Sequence, residues 1–216
     1  GHDPIARLRD AVTGEKPALV GFSCTSPSRI HAMACARHVK QWSPGTRVVF
    51  GGPAPTFLPD FMMAQCPAID YIVRGEGEYT LLSLARVLSG SGDPETRMLS
   101  AIDGLVFRTA GSIEQTPARA VIQDLDTLPH PSKYFAYNHL SMSRGCPGRC
   151  TFCGSPKFWP DRRVRFHSPE WMITELENQV ARGITHFFIS DDTLTLDRNR
   201  VMTLCRLIRK RLPPIT

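Results

Sequence analysis

Three short apolar runs punctuate the first half of this chain: Ala18–Cys24 (ALVGFSC), Arg47–Phe50 (RVVF) and Asp70–Arg74 (DYIVR). Each has strand length, is rich in β-branched and aromatic residues and does not alternate with polar residues, so each reads as a strand covered on both faces. Helical patterns lie between them. Pro4–Val12 carries Ile5, Leu8 and Val12 at helical spacing and stops at Gly14, and Ser28–Trp42 turns Ile30, Met33, Ala34 and Trp42 inward. Pro59–Gln65 and Thr80–Leu88 complete the series. Alternation of this kind admits few folds besides a parallel sheet with helices packed on it.

The fold class is therefore α/β, beginning with a partial doubly wound (Rossmann-like) parallel sheet. Ligands of such sheets bind at the carboxyl ends of the strands. Those ends are Ser23–Ser28, Gly51–Thr56 and Gly75–Glu78. Ser23, Thr25 and Ser26 offer hydroxyls, and Gly51-Gly52 lets the backbone approach a flat or bulky ligand with no side chain in the way. Ordinary βα turns are the competing reading for any one of the three. That all three are small and polar favours a ligand.

Ser89–Thr96 is rich in Gly, Ser, Asp and Pro and reads as a loop. Gly104–Arg108 and Ile113–Pro117 flank Thr109–Ser112 as a β-hairpin, and Asp124–Pro131 (DLDTLPHP) is an extended linker whose prolines resist helix and sheet. The chain thus divides into residues 1–100, 101–139 and 140–216. His130 and His139 read as packing or surface residues.

The third part opens on a strand, Leu140–Ser143, that runs into the glycine-rich stretch SMSRGCPGRCTFCGSP, residues 141–156. Cys146, Cys150 and Cys153 are separated by three and then two residues. Three thiolates this close leave a tetrahedral zinc site one ligand short, but they match three irons of a 4Fe–4S cube whose fourth iron stays open. Zinc completed from elsewhere is the competing reading. Phe152 stands where it can cover a cluster or an adenine ring. Val164–Phe166 leads to a helix capped by Ser168 with Pro169 at its first position, with Ile173, Leu176 and Val180 inward and Gly183 as its stop. A buried strand, His186–Ser190, ends in Asp191-Asp192-Thr193. Asp197 caps the last helix, whose stripe of Val201, Leu204, Cys205 and Ile208 places Cys205 in the core. Two strand–loop–helix units with polar loops at one end are how a β/α barrel begins. Asp191 and Asp192, at the mouth with the cysteine loop, suit an ammonium group; the alternative is a solvated turn or helix cap.

Charge is uneven along the chain. The net value is +6, residues 141–216 carry 13 Lys/Arg against 7 Asp/Glu, and residues 1–140 carry 13 of each. Arg144, Arg149, Arg162, Arg163 and Arg165 surround the cysteines, a field that suits an anionic cluster or an acidic partner. No lysine-rich run with interleaved aromatics supports nucleic-acid binding, and no apolar run approaches membrane-spanning length. Seven scattered cysteines do not form a secreted disulfide framework, so a reducing cytoplasm fits.

In order, FSCTS, VVFGGPAPTF and DYIVRGEGE resemble the cobalamin-binding domain that precedes many radical S-adenosylmethionine enzymes. Cys146-x-x-x-Cys150-x-Phe152-Cys153, followed by FFISDDTLTLDRNRV, resembles the cobalamin-binding class of that superfamily. The resemblance implies that Ser23, Thr25, Gly51 and Gly52 line the pocket of the cobalamin nucleotide tail, with Gly75 and Glu76 nearby. It implies a 4Fe–4S cluster on Cys146, Cys150 and Cys153, and S-adenosylmethionine on the open iron with its amino group at Asp191 and Asp192. The implied activity is reductive cleavage of S-adenosylmethionine to a 5′-deoxyadenosyl radical, used for methyl transfer to an unactivated carbon or phosphorus. The substrate would be a small molecule or peptide, and the electron donor a flavodoxin or ferredoxin.

Other readings on the same platform are an oxidative cyclase and a methylthiotransferase, whose extra cluster ligands would be Cys24, Cys35 and Cys66. A non-catalytic cobalamin or iron–sulfur module is the reading outside enzymes. The Asp-x-His-x-x-Gly loop that ligates cobalt in some cobalamin proteins is absent, and His2 does not replace it. The family's first domain has two strands ahead of those seen here, and its barrel continues past Arg211, with a third strand starting at Pro214–Thr216. The resemblance thus implies a piece lacking both ends, inactive alone.

Overall fold

The computed structural model describes residues 3–90, 94–159 and 161–216. Residues 91–93 of the glycine/serine-rich loop, and His2, lie outside the described residues. The chain divides into two compact units, Gly1–Val121 and Ile122–Thr216.

The first unit runs α1 (Pro4–Glu15), β1 (Leu19–Ser23), α2 (Arg29–Trp42), β2 (Arg47–Gly51), α3 (Pro53–Phe57), α4 (Pro59–Gln65), β3 (Tyr71–Val73), α5 (Glu78–Leu88), α6 (Thr96–Ser100), β4 (Leu105–Arg108) and β5 (Ile113–Gln115). Strands β1 to β5 form one sheet in sequence order. β1 runs parallel to β2 from Leu19↔Arg47 to Ser23↔Gly51, and β2 parallel to β3 through Phe50↔Ile72. β4 is antiparallel to β3 through Ile72↔Val106, and β5 antiparallel to β4. The hairpin that the sequence sets between the domains is therefore hydrogen-bonded onto the edge of this sheet. Arg108 reinforces the join: its guanidinium donates to the carbonyls of Ile69 and Cys66, each at 3.2 Å, and to that of Met63.

Alternation along the strands sorts the core into two layers. Val48, Phe50, Ile72 and Val106 pack with residues of α1, α2 and α4, whereas Val49, Tyr71, Val73, Leu105 and Phe107 pack with Leu84 of α5 and Leu99 of α6. Helices cover both faces, as in a layered α/β sheet, but the described strands follow one another in sequence order with no reversal, so the doubly wound expectation is corrected to a mixed sheet wound in one direction. Two further expectations change. α1 continues past Gly14 and ends where Lys16 takes a left-handed conformation (φ 47°). α2 buries Met33, Ala36 and Val39, a stripe rotated from the one read off the sequence, and leaves Ile30 62% exposed. Ile30 and Ala34 satisfy the helical period equally well, so only the sheet decides which stripe is covered.

The second unit holds β6 (His139–Leu140), β7 (Ser143–Arg144), α7 (Ser155–Phe158), β8 (Arg165–Phe166), α8 (Pro169–Val180), β9 (Phe188–Ile189) and α9 (Arg198–Arg211). β6 pairs parallel with β9, and β7 antiparallel with β8. The caps form as the sequence requires: Ser168 Oγ accepts from Trp171 N at 3.0 Å, and Asp197 Oδ1 accepts from Arg200 N at 3.0 Å. The core is Leu140, Met142, Met172, Ile173, Leu176 and Leu204. Arg211 and Glu177 close α9 onto α8 with two bonds of 2.8 and 2.7 Å.

Four expectations are corrected in this unit. The strand Leu140–Ser143 is broken, because β6 and β7 pair with different partners. The run His186–Ser190 forms only a short strand, and its Phe188 and Ile189 are 59% and 43% exposed. Apolarity there encodes strand preference without guaranteeing a covering layer. Cys205 is exposed, because α9 turns Arg200 and Leu204 inward. Val180 is half-buried; the stripe of α8 is completed by Glu175 and Gln179, both fully buried.

Glu175 explains the linker. Its carboxylate accepts from Ser132 N at 2.9 Å, Ser132 Oγ at 2.7 Å, His130 at 2.9 Å and the Tyr137 hydroxyl. A buried charge without such donors is destabilising by several kcal/mol, on the order of 3–5. Here four groups of residues 130–137 converge on it, so the extended segment is pinned to α8. His130 and His167 both stack on Trp171, with ring centroids 4.4 and 3.7 Å away. Both histidines read as packing residues in this setting. His139 stacks on Phe188 at the outer side of β6 and β9. Beyond β9, Phe187 N donates to Thr216 O at 2.7 Å and Thr216 N to Thr185 O at 2.8 Å, the pattern of a parallel bridge.

Candidate functional site

At the carboxyl ends of β1, β2 and β3 the first unit contains a cavity of about 280 Å³. Its wall includes Ser23, Gly51, Gly52 and Gly75, the residues singled out from the sequence, together with Gly21, Gly77 and Leu81. Gly52 is required there: its φ is 94°, and a Cβ would lie 2.9 Å from Cys24 O and 3.1 Å from Ser23 Oγ. Thr56 ties two of the loops together, donating from Oγ1 to Gly52 O at 2.9 Å and accepting from Gly75 N at 3.0 Å. Thr56 was missed by sequence reasoning, although its place four residues after a strand-end glycine was visible.

Thr25 and Glu76 do not line the cavity. The Thr25 amide and carbonyl are bonded to Ser28 Oγ at 3.0 and 3.3 Å, so this segment turns the chain into α2. Cys24 is buried at the cavity's margin, and burial pushes its thiol pKa up against the opposing pull of Arg29. A wall of backbone and small residues over an apolar floor suits a flat, bulky group better than a charged one.

In the second unit, β7 and β8 zip the two ends of the cysteine loop together through Ser143↔Phe166 and Arg144↔Arg165. Gly145 makes the turn away from this base. Its φ is 106°, and a Cβ would fall 2.2 Å from Arg163 O, so no other residue fits. Cys146 and Cys153 are half-buried and Cys150 is exposed. Backbone amides already face two of the sulfurs: Gly148 N lies 3.4 Å from Cys146 Sγ and Ser155 N 3.4 Å from Cys153 Sγ. A Cβ on Gly148 would meet Cys146 Sγ at 3.2 Å and Cys150 Sγ at 3.9 Å, so both sulfurs border one point of the loop. Among the described residues no three His, Cys, Asp or Glu side chains group so that they could hold a single metal ion. A cube takes one thiolate at each of three corners and does not need that convergence, so three thiols on a glycine-relieved loop with amides facing sulfur fit a 4Fe–4S group. Phe152, at the loop's tip, is 93% exposed.

The acidic pair lies against this loop. Asp191 Oδ1 accepts from Met142 N at 2.6 Å and Ser143 N at 3.2 Å, and its Oδ2 from Ser143 Oγ at 2.7 Å. Asp192 Oδ2 accepts from Ser155 Oγ at 2.7 Å and Trp159 Nε1 at 3.1 Å. Arg200 passes beneath, buried, donating to Met142 O at 2.7 Å and His167 O at 2.9 Å; burial lowers its pKa and the nearby Asp191 opposes that shift. Arg200 was not foreseen, because a charged residue in the first turn of an amphipathic helix reads as solvent-facing. The other cysteines lie elsewhere: Cys24 and Cys66 are buried in the first unit's core, and Cys35 sits within α2. The described cysteines are all free, and no helix among the described residues is long and apolar enough to cross a membrane.

Comparison with known proteins gives two family matches: the B12 binding domain over residues 2–85 and the radical SAM superfamily over residues 140–216. The chain is 35% identical over 206 residues to an uncharacterized methyltransferase of Pyrococcus horikoshii, covering 90% of this chain and 44% of that protein. It is 31% identical to the anaerobic magnesium-protoporphyrin IX monomethyl ester cyclase of Cereibacter sphaeroides, covering 98% of this chain and 36% of the cyclase. To the cobalamin-dependent radical SAM methyltransferase TokK of Streptomyces tokunonensis it is 27% identical, covering 87% and 29%. The chain thus spans less than half the length of these relatives.

Proposed function

We propose that this chain, which belongs to the cobalamin-binding class of the radical S-adenosylmethionine superfamily, serves a radical enzyme that methylates an unactivated carbon or phosphorus. One observation carries the reading: a single chain joins a glycine-walled cavity at the carboxyl ends of parallel strands to a zipped loop bearing three thiols. Cys146, Cys150 and Cys153 hold a 4Fe–4S cluster, Ser23, Gly51, Gly52 and Gly75 receive part of cobalamin, and Thr25 and Glu76 flank that site. When bound, these groups supply the electron that splits S-adenosylmethionine into methionine and a 5′-deoxyadenosyl radical, and a carrier for the methyl group.

The chain's own residues hold and shield. The amides of Gly148 and Ser155 offset charge on the cysteine sulfurs, and the exposed Phe152 ring stands where it can cover a bound cluster or an adenine ring. Asp192 has one carboxylate oxygen on the loop and offers the other to the amino group of S-adenosylmethionine, beside Asp191. β6, β9 and the segment at Thr216 are the first strands of a β/α barrel, in that order; their parallel pairing supports this. The arginines around the loop suit an acidic one-electron donor such as a flavodoxin or ferredoxin, and free thiols suit a reducing cytoplasm.

Oxidative ring closure is the second reading, favoured by the cyclase among the relatives. Methylthio insertion has less support, since Cys24 and Cys66 are sealed in a hydrophobic core.

Anaerobic reconstitution with iron and sulfide, followed by electron paramagnetic resonance of the reduced protein with and without S-adenosylmethionine, tests the reading. A reduced 4Fe–4S signal that shifts on addition is expected. No cluster, or a signal that S-adenosylmethionine leaves unmoved, would overturn it. Cobalamin titration followed by absorbance tests the first unit separately.

A further inference from the structure

The acidic pair is bonded on both sides of the three cysteines. Asp191 holds Met142 and Ser143, immediately before Gly145 and Cys146, through three bonds of 2.6 to 3.2 Å. Asp192 holds Ser155, two positions after Cys153, and Trp159, at the end of α7, through bonds of 2.7 and 3.1 Å. Met142 is also gripped from its other side, its carbonyl accepting from Arg200 at 2.7 Å and from His167 N at 3.0 Å. Both oxygens of Asp191 are taken up in this way.

We propose that Asp191 and Asp192 act first as positioning residues: a two-point staple that presets the separation of Ser143, ahead of the cysteines, from Ser155, behind them, and so the spacing of the three thiols, before any cluster binds. Arg200 is the staple's backing, a buried guanidinium that fixes Met142 O and His167 O through its own donors. The physical case is the strength of bonds to an ionised carboxylate, roughly twice that of neutral ones, applied to segments with little else to order them. β7 and β8 are two residues each, and α7 is a single turn. This rests on the proposed function only for the identity of the group the thiols bind.

The test uses the whole chain and separates a staple from direct contact with S-adenosylmethionine. Ser155→Ala with Trp159→Phe removes what Asp192 holds while leaving its carboxylate untouched. Asp191→Asn and Asp192→Asn remove the charge at each point. Three readouts are taken: amide hydrogen exchange of residues 145–159 in metal-free protein, iron and sulfide retained after reconstitution and gel filtration, and the reduced-cluster resonance signal without S-adenosylmethionine. Asp191→Asn is expected to speed loop exchange about ten-fold or more. It should also lower retained iron and turn the resonance signal into a mixture of environments. The Ser155/Trp159 double variant should reproduce the effect of Asp192→Asn on all three.

Wild-type exchange and iron retention in Asp191→Asn and in the double variant, with Asp192→Asn changing only the response to S-adenosylmethionine, would overturn the staple. Amides of α8 report whether a variant is folded. If Asp191→Asn is not, Ser143→Ala, which removes one bond of the three, takes its place with the same expectations at smaller size. If the wild type takes up no cluster, the proposed function fails, while exchange in the metal-free protein still decides the staple.

Discussion

The cavity at β1–β3 and the cysteine loop solve opposite problems. The cavity is lined by glycine backbone, one serine hydroxyl and apolar side chains, and its shape follows from β2 and β3, which are buried on both faces, and from β1 beside them, which the sequence also made a fully covered strand but which is only half-covered. The loop has almost no secondary structure of its own and is held by carboxylates just after β9 and a buried guanidinium from α9. A site that works by shape can lean on the core of its sheet. A site that must place three reactive sulfurs on an irregular segment needs directional bonds, because apolar packing alone does not specify a loop.

The sharpest way to break the comparison is at the thiols. Cys150→Ala is expected to abolish retention of the cluster while leaving cobalamin titration unchanged; iron analysis beside absorbance titration checks both. Glycine substitutions come next. Gly145→Ala puts a methyl 2.2 Å from a carbonyl at φ 106°, and Gly52→Ala 2.9 Å from one at φ 94°. Each left-handed conformation alone is worth roughly 1–3 kcal/mol, so Gly145→Ala should unfold the second unit's loop and Gly52→Ala should destabilise the first unit by about 2 kcal/mol. Because the chain has two units, unit-resolved hydrogen exchange is the suitable measurement.

Gly51→Ala sharpens the contrast further. A Cβ there has room, its nearest neighbour being Val73 O at 3.8 Å. The fold should change by less than about 0.5 kcal/mol. Cobalamin affinity should nevertheless fall about ten-fold, because the methyl occupies the ligand's approach.

The smallest effect is in pH. Burial pulls the His167 pKa below its ordinary value of 6.5, outweighing the nearby Asp126. The unfolded chain therefore binds this proton first as pH falls, so stability is full above about 6.5 and declines below it. For Asp126, burial pushes the pKa up, but the bonds from Ser168 and His167 prevail and hold it below 3.8. Its contribution is present above 3.8 and is lost only as pH falls through the depressed value. Unfolding of the second unit should thus soften first on acidification from neutrality, and His167→Gln should flatten that step. A first unit that softens over the same range would blunt the comparison.

Much of the fold was legible in the chain. The strands β1–β3, the helix α4 and the caps at Ser168 and Asp197 follow from local pattern and capping chemistry. The second unit read less well. α8 buries Glu175 and Gln179 in the stripe that starts at Met172, and their partners lie some 40 positions earlier, in the prolines-and-polar segment around Ser132 and Tyr137. A period locates a stripe but says nothing about a polar member whose satisfaction depends on a distant segment. The same blindness put Cys205 inside and left Arg200 unnoticed.

For the functional residues, the division falls along the same line. The sequence by itself determined the cysteine spacing, the glycine pairs and the acidic doublet, since each is a local matter of ligand number, steric room or charge. Only the tertiary structure decided what those groups face. It placed Thr25 in a turn and Thr56 between two cavity loops, and it spent both oxygens of Asp191 on residues 142 and 143. Hydrogen-bond partners far apart in the chain are chosen by how strands and helices pack, and no local rule encodes that choice.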